Sequence, residues 1–241
     1  SWRGRRTMTT MTQRAGGRDP AAGIYVQYGC GTWAPEAWMN FDASARLWLE
    51  RTPIFGIVVR ALIGELFPRN VRFGDIVRGL PLRENCAAGV YCSHVLEHVA
   101  RDELPIALRN TFKILAPGGM FRLVLPDLHW RAARYVSAAE RNDSSAADNL
   151  LESCNLGSRR GTRTLIEALV GYWSRSEHQW MYDFAGIKAA LMEAGFVGIR
   201  RCKFGDCGDP MFAVAEDINR FVEAHKIELA IEAFKPVGSS R

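Results

Sequence analysis

Several short segments of this chain carry residue types that could hold or transform a small polar molecule. Gly29-Cys30-Gly31 follows the β-prone run Ile24–Tyr28, and glycines at a strand end let the backbone approach a ligand closely. Asn40-Phe41-Asp42 and Gly74-Asp75-Ile76 each place a carboxylate after an apolar run; Asp42 can accept both hydroxyl protons of a ribose, and Asp75 also suits a plain turn. His94-Val95-Leu96-Glu97-His98 sets two imidazoles and a carboxylate within one short segment. On a helix its positions i, i+3 and i+4 would share a face, so a divalent metal is a geometric option and a metal hydrolase one reading. Asp127, His129 and His178 could act as general base on an acceptor hydroxyl. Asp127 equally suits the cap of the helix that follows it, and His178 could pack beside Trp180.

Strands are expected at Ile24–Tyr28, Trp38–Asp42, Val71–Phe73, Gly89–Cys92, Met120–Leu125, Phe196–Phe204 and Ile227–Phe234, each a short β-prone run bounded by turn residues. Leu104, Leu108, Phe112 and Leu115 recur at helical spacing within residues 102–115. Phe184–Ala194 reads as a helix stopped by Gly195, and residues 43–67 as helical with an interruption at Pro53 and Gly56. Pro117-Gly118-Gly119 is a turn. Residues 128–177 read as a helical insertion, split at Asn142–Ser145 and Gly157–Gly161. Strands alternating with helices predict a doubly wound, mainly parallel α/β sheet, in which ligands bind beyond the carboxyl ends of the strands, where strand order reverses.

The spacing of the first two motifs narrows the ligand. Asp42 lies only 11 residues after Gly31. In dinucleotide sites the matching acid follows about 20 residues on, because a full helix intervenes and its N-terminus holds the pyrophosphate. With a strand occupying part of the short interval, no such helix fits. A one-nucleoside ligand without phosphates is favoured over NAD.

In this order and spacing, together with Leu115-Ala116-Pro117-Gly118-Gly119 and His178-Gln179-Trp180-Met181-Tyr182-Asp183, the segments resemble the class I S-adenosylmethionine-dependent methyltransferases, in particular the small type-11-like group. The resemblance covers roughly residues 24–130 and 178–236. It implies a Rossmann-like sheet of seven strands with an antiparallel last strand, and S-adenosyl-L-methionine as cofactor. It implies cofactor contacts from Tyr28, Gly29, Cys30, Gly31, Asp42, Ala43, Asp75, Ile76, Ser93 and His94, with Asp75 or the Ile76 amide at the adenine edge. The chain departs from the family at Gln27, where an acidic residue or asparagine is usual, and at Ala88, where an aspartate is usual. Asp127, His129 and His178 remain the catalytic candidates, and no metal ligand is assigned. The expected reaction is O-methylation of a small metabolite or glycan precursor. An RNA or protein methyltransferase and a non-catalytic scaffold that keeps the binding fold are the other readings.

Composition bounds these readings. The chain has 241 residues, and its 48% hydrophobic content is ample for one domain with an insertion. The expected layout is a disordered basic tail over residues 1–22 and one catalytic domain over 23–241. Residues 1–18 hold Arg3, Arg5, Arg6, Arg14 and Arg18 and no acid; without those five, 26 basic residues face 26 acidic ones. The body is thus neutral, which disfavours a broad nucleic-acid surface, although Arg159, Arg160 and Arg163 form a local cluster. The most apolar stretch, Ile54–Phe67, carries Arg60 and Glu65 and reads as a core-facing amphipathic helix rather than a membrane span. Six cysteines without a CxxC pair and no visible signal segment point to reduced thiols and a cytoplasmic protein; Cys202 and Cys207 could pair across a turn. The oligomeric state is left open.

Overall fold

The computed structural model describes residues 23–52, 66–156, 178–223 and 226–238. The basic tail, most of the Ile54–Phe67 stretch, the Arg159–Arg163 cluster and the second half of the expected insertion lie outside these residues. Eight strands are described: β1 (Ile24–Tyr28), β2 (Met39–Asp42), β3 (Val71–Phe73), β4 (Ala87–Ser93), β5 (Leu115–Pro126), β6 (Val197–Cys202), β7 (Val222–Glu223) and β8 (Lys226–Phe234). Seven of them form the sheet in the order β3-β2-β1-β4-β5-β8-β6, and β7 pairs with β8 outside it. β1 to β5 pair in parallel, whereas β8 runs antiparallel to both β5 and β6. This is the mixed seven-stranded sheet that the motifs implied. The reversal of strand order falls between β1 and β4, so the carboxyl ends of β1 to β4 frame a crevice.

Alternation along the strands divides the core between the two sheet faces. Val26, Tyr28, Val90, Cys92, Phe121 and Leu123 belong to one apolar cluster. Tyr91, Met120, Val124 and Ala230 pack on the other face with Trp38, Phe212 and Phe221. Helix α1 (Ala45–Arg51) follows β2, and the first face is covered by α2 (Leu104–Ile114) and α5 (Phe184–Glu193). Leu104, Ala107, Leu108, Thr111 and Ile114 form the buried side of α2, and Pro105 occupies its first turn, where a missing N–H costs nothing. Asp183 caps α5 by accepting from the Gly186 amide at 2.7 Å.

Strand edges shift slightly from the expected ones. The turn Pro117–Gly119 is absorbed into β5 as a bulge, since Ala87 pairs with Leu115 while Gly89 pairs with Met120. After β5, α3 (Leu128–Glu140) and α4 (Ala146–Ser153) account for the first part of the expected insertion. Arg131 on α3 holds both in place: it grips Glu228 of β8 through two contacts of 3.1 and 2.9 Å and donates to the Ser153 carbonyl at 2.9 Å. The six cysteines, Cys202 and Cys207 included, are free thiols. Among the described residues no helix is long and apolar enough to cross a membrane.

Candidate functional site

A cleft of about 1130 Å³ opens at the carboxyl ends of β1 to β4. The strand order lays its walls out in sequence: Asp75 beyond β3, Asp42 at the end of β2, Gly29 and Gly31 beyond β1, and His94 to His98 beyond β4. Neighbouring strands stand about 4.8 Å apart, so the Asp75 end and the His94–His98 end are separated by about 14 Å.

Gly29 and Gly31 take φ values of +66° and +55°, the left-handed region that side chains rarely adopt. A Cβ on Gly29 would overlap the Val95 side chain, whereas one on Gly31 would meet open space. The first glycine therefore lets the loops after β1 and β4 close on each other, and the second leaves the room a ligand needs. Gly29→Ala should remove cofactor binding and lower stability by about 1–2 kcal/mol from backbone strain alone, with the Val95 overlap added; thermal melts and titration with S-adenosylhomocysteine check both effects.

Asp42 is nearly buried. Its Oδ2 accepts from the Gly31 amide at 2.9 Å and its Oδ1 from the Ser44 amide at 2.8 Å. Burial raises its pKa above the ordinary carboxylate value, against the opposing pull of those amides and of Arg46. Ala43 lies beside it on the cleft wall. Asp75 folds back on its own turn, accepting from the Val77 amide at 2.9 Å, and has Arg78 3.6 Å away. Gly74 and Ile76 flank it on the wall, and the Ile76 carbonyl is held by Asn110 at 2.8 Å. Tyr28 also lines the cleft, although its hydroxyl is engaged with Thr111 at 3.1 Å.

Two members of the expected cofactor set turn elsewhere. Cys30 packs with Leu47 and Val71, and burial pushes its thiol up to about 12. Ser93 is buried, and with Cys30 it lines a separate small recess rather than the main cleft.

The His94–His98 segment departs most from expectation. His94 has φ +53°, which ends β4 abruptly, and only Leu96–His98 form a single 3₁₀ turn. The three side chains therefore do not share an α-helical face. The His94 Nε2 lies 3.0 Å from the Arg220 carbonyl, and its Nδ1 lies 3.3 Å from Glu97 Oε1. Burial works against protonation of His94, but Glu97 and the Arg220 carbonyl outweigh it and raise its pKa.

His178 arrives from a distant part of the chain. The Glu97 carbonyl accepts from the amides of Gln179 at 2.7 Å and Trp180 at 3.1 Å, and the Gln179 side chain donates to the His98 carbonyl at 2.8 Å. The His178 and His98 rings consequently meet edge to face, 5.0 Å between centroids. Burial lowers the His178 pKa, with Glu97 pulling the other way, so the imidazole is neutral at pH 7.

Asp127 and His129 do not line the cleft. Asp127 caps α3, its Oδ1 accepting from the His129 amide at 2.9 Å and the Trp130 amide at 3.4 Å, while its Oδ2 faces Arg201 at 3.3 Å. His129 points into solvent. Of the three candidate bases, the structure brings only His178 to the cleft.

The sequence reading missed Phe73, Ser44, Arg78, Asn219 and Arg220, all of which line the cleft. Phe73 is 55% exposed at the end of β3, and an exposed aromatic immediately before Gly74-Asp75 is a readable signal. Asn219 and Arg220 reach the site from a loop far along the chain, with no local signature.

The site suits a nucleoside cofactor without phosphates: a left-handed glycine pair, an acid at the end of β2, and no long helix between them. Residues 2–200 match the family described as a methyltransferase domain, and the chain belongs to that family. It is a class I S-adenosylmethionine-dependent methyltransferase, and S-adenosylmethionine is its cofactor. Among solved structures, a SAM-dependent methyltransferase from Methanosarcina mazei shares the fold, with 12% identity, a TM-score of 0.50, and coverage of 90% of this chain and 94% of that one. One from Archaeoglobus fulgidus is 14% identical with a TM-score of 0.45, covering 89% of this chain and 87% of that one. The CurJ carbon methyltransferase is 16% identical with a TM-score of 0.44; the match takes in 91% of this chain but spans only 50% of that protein. No curated protein matches the sequence.

Proposed function

We propose that the chain transfers a methyl group to a hydroxyl oxygen of a small metabolite or glycan precursor, with Gly29, Gly31, Asp42 and Asp75 holding the cofactor and the Glu97–His98–His178 group meeting the acceptor. The observation that carries this reading is the neutral His178 imidazole, whose Nδ1 is buried beside the cleft without a hydrogen-bond partner among the described residues. S-adenosylmethionine supplies a methyl group made electrophilic by its sulfonium, and an acceptor oxygen attacking in line leaves the bonding pair on sulfur.

The chain's residues do the rest. Asp42 accepts from the ribose hydroxyls, and the floor made by Gly74 and Ile76 faces the adenine. Arg131, buried and tied to Glu228, fixes α3 and α4 beside the acceptor end. The cleft exceeds the usual ligand pocket of about 300–1,000 Å³, which leaves room for an acceptor beside the cofactor. A neutral imidazole is able to take the hydroxyl proton as the oxygen attacks, an effect of about 10²–10⁴ in rate. Asp127, with both oxygens engaged, is not assigned that task.

The test is His178→Ala, assayed against a panel of hydroxylated acceptors with radiolabelled cofactor. Turnover should fall by at least about 100-fold while S-adenosylhomocysteine binding stays unchanged. Methyl incorporation that is indifferent to the substitution, or found on nitrogen or carbon, would remove the O-methylation reading.

A further inference from the structure

We infer that Glu97, His98 and His178 form a binding site for one first-row divalent transition-metal ion at the acceptor end of the cleft. Their donor atoms all lie within 4.8 Å of one another, although one of the three comes from a part of the chain some 80 residues away from the other two.

The strongest observation is Glu97. Its side chain is fully buried, and among the described residues neither carboxylate oxygen has a hydrogen-bond partner. The His94 Nδ1 lies 3.3 Å away, near enough that Glu97 raises the His94 pKa, and the His98 Nε2 lies 4.0 Å away. A buried carboxylate in that state is costly unless an ion or strong donors satisfy it. Beside it, His178 Nδ1 is likewise buried and without a hydrogen-bond partner among the described residues. Two unsatisfied buried groups converging on one point are what a cation would resolve.

The frame is rigid enough to hold such a set. Two backbone hydrogen bonds and one from the Gln179 side chain tie the carbonyls of residues 97 and 98 to residues 179 and 180. Ligands on one ion sit about 2.0–2.2 Å from it, so a tetrahedral set needs its donors about 3.4 Å apart, and side-chain rotations of an ångström or so close the present spacing. The site differs from the helical HxxEH arrangement: His94 faces the Arg220 carbonyl, and His178 takes its place.

The donor set selects the ion. Two imidazoles and one carboxylate suit Zn²⁺, Co²⁺, Fe²⁺ or Mn²⁺ better than Mg²⁺ or Ca²⁺. Three protein ligands leave coordination positions open, and the cleft is the open side. An oxygen bound there loses its proton near neutral pH. The inference rests on the O-methylation reading and deepens it. The acceptor would present two neighbouring oxygens, one or both on the ion, and the proton of the attacking oxygen would pass to solvent at the open side of the cleft rather than to His178, which the ion would occupy. A second grouping, Cys202, Asp206 and Glu232, has comparable spacing, but Arg122 and Arg200 already pair with its two acids.

The experiment is titration of chelator-treated full-length protein with Co²⁺, followed by calorimetry and visible absorption, and repeated on His178→Ala and Glu97→Gln. One ion per chain is expected, and each substitution should weaken its binding by at least about 100-fold while S-adenosylhomocysteine still binds, which shows the cleft intact. Wild-type protein that binds S-adenosylhomocysteine but takes up no Co²⁺ overturns the inference and leaves the methyltransferase site standing. So does Co²⁺ binding that ignores both substitutions and disappears on thiol alkylation. Methylation on nitrogen or carbon would sink the O-methylation reading without touching the metal result.

Discussion

Asp42→Ala should lose S-adenosylhomocysteine affinity by at least about 100-fold, and Asp42→Asn by about tenfold. Two hydrogen bonds to a charged acceptor are worth about 1.5–3 kcal/mol each, and each 1.36 kcal/mol is a factor of ten. Asparagine retains one acceptor oxygen, hence the smaller loss. The effect on folding should run differently. Burial raises the folded-state pKa of Asp42 above its unfolded value, so its stabilising contribution is full below the unfolded pKa and is lost as pH rises through the folded pKa. At pH 7 the ionised group is therefore a burden on the fold, but the asparagine NH2 would face the Gly31 or the Ser44 amide, so the variant should melt below the wild type by the cost of one unsatisfied donor, about 1–3 kcal/mol. Binding should follow the opposite course with pH, because a protonated carboxyl accepts less well from two hydroxyls. Calorimetric titrations from neutral pH down toward about 4 should show wild-type affinity falling while the asparagine variant stays flat. Equal pH profiles for the two proteins would remove Asp42 from the ribose contact.

The two ends of the site were not equally legible in the sequence. Gly29, Gly31, Asp42 and Asp75 follow short β-prone runs, and each takes its role from backbone geometry within a few residues. The Gly31–Asp42 interval even constrains the ligand, because a length of chain either holds a helix or does not. The acceptor end depends on contacts that no local pattern records. Helical spacing at His94, Glu97 and His98 is present on paper, but the φ of +53° at His94 breaks the helix. His178 becomes a neighbour only through backbone hydrogen bonds from Gln179 and Trp180 to Glu97. Asp127 shows the reverse case. Its place before Leu128 suits a helix cap as well as a base, and the local hydrogen bonds of α3 decide for the cap. Most of the strands were legible because parallel strands buried on both faces read as continuous apolar runs, while their order was not, and the Met120–Leu125 run of β5 shows only Arg122 as an interruption.

That interruption leads to the largest expected effect on stability. Arg122 is fully buried. It donates through Nε to Glu216 and through Nη1 to Glu232, with Asp206 3.2 Å away and the Lys203 carbonyl accepting from Nη2 at 2.6 Å. One guanidinium thus ties β5 to β8 and to the segment that follows β6. Removing one partner of a buried ionic group costs about 3–5 kcal/mol, against a total stability of about 5–15 kcal/mol. Arg122→Met should therefore lower the melting temperature by about 6–20 °C, at about 2–4 °C per kcal/mol for a chain of this size. The loss comes mainly from the carboxylates left buried. Arg122→Met combined with Glu216→Gln and Glu232→Gln should recover much of it, since neutral amides need no cation. Function should not recover in step. Glu216 lies just before Asn219 and Arg220, which line the cleft, and the Arg220 carbonyl holds His94 against Glu97. In the stabilised triple variant that segment has lost its anchor. Methyl transfer should stay depressed while S-adenosylhomocysteine binding at the Asp42 end persists. A triple variant restored in both stability and turnover would show that Arg122 serves the fold alone.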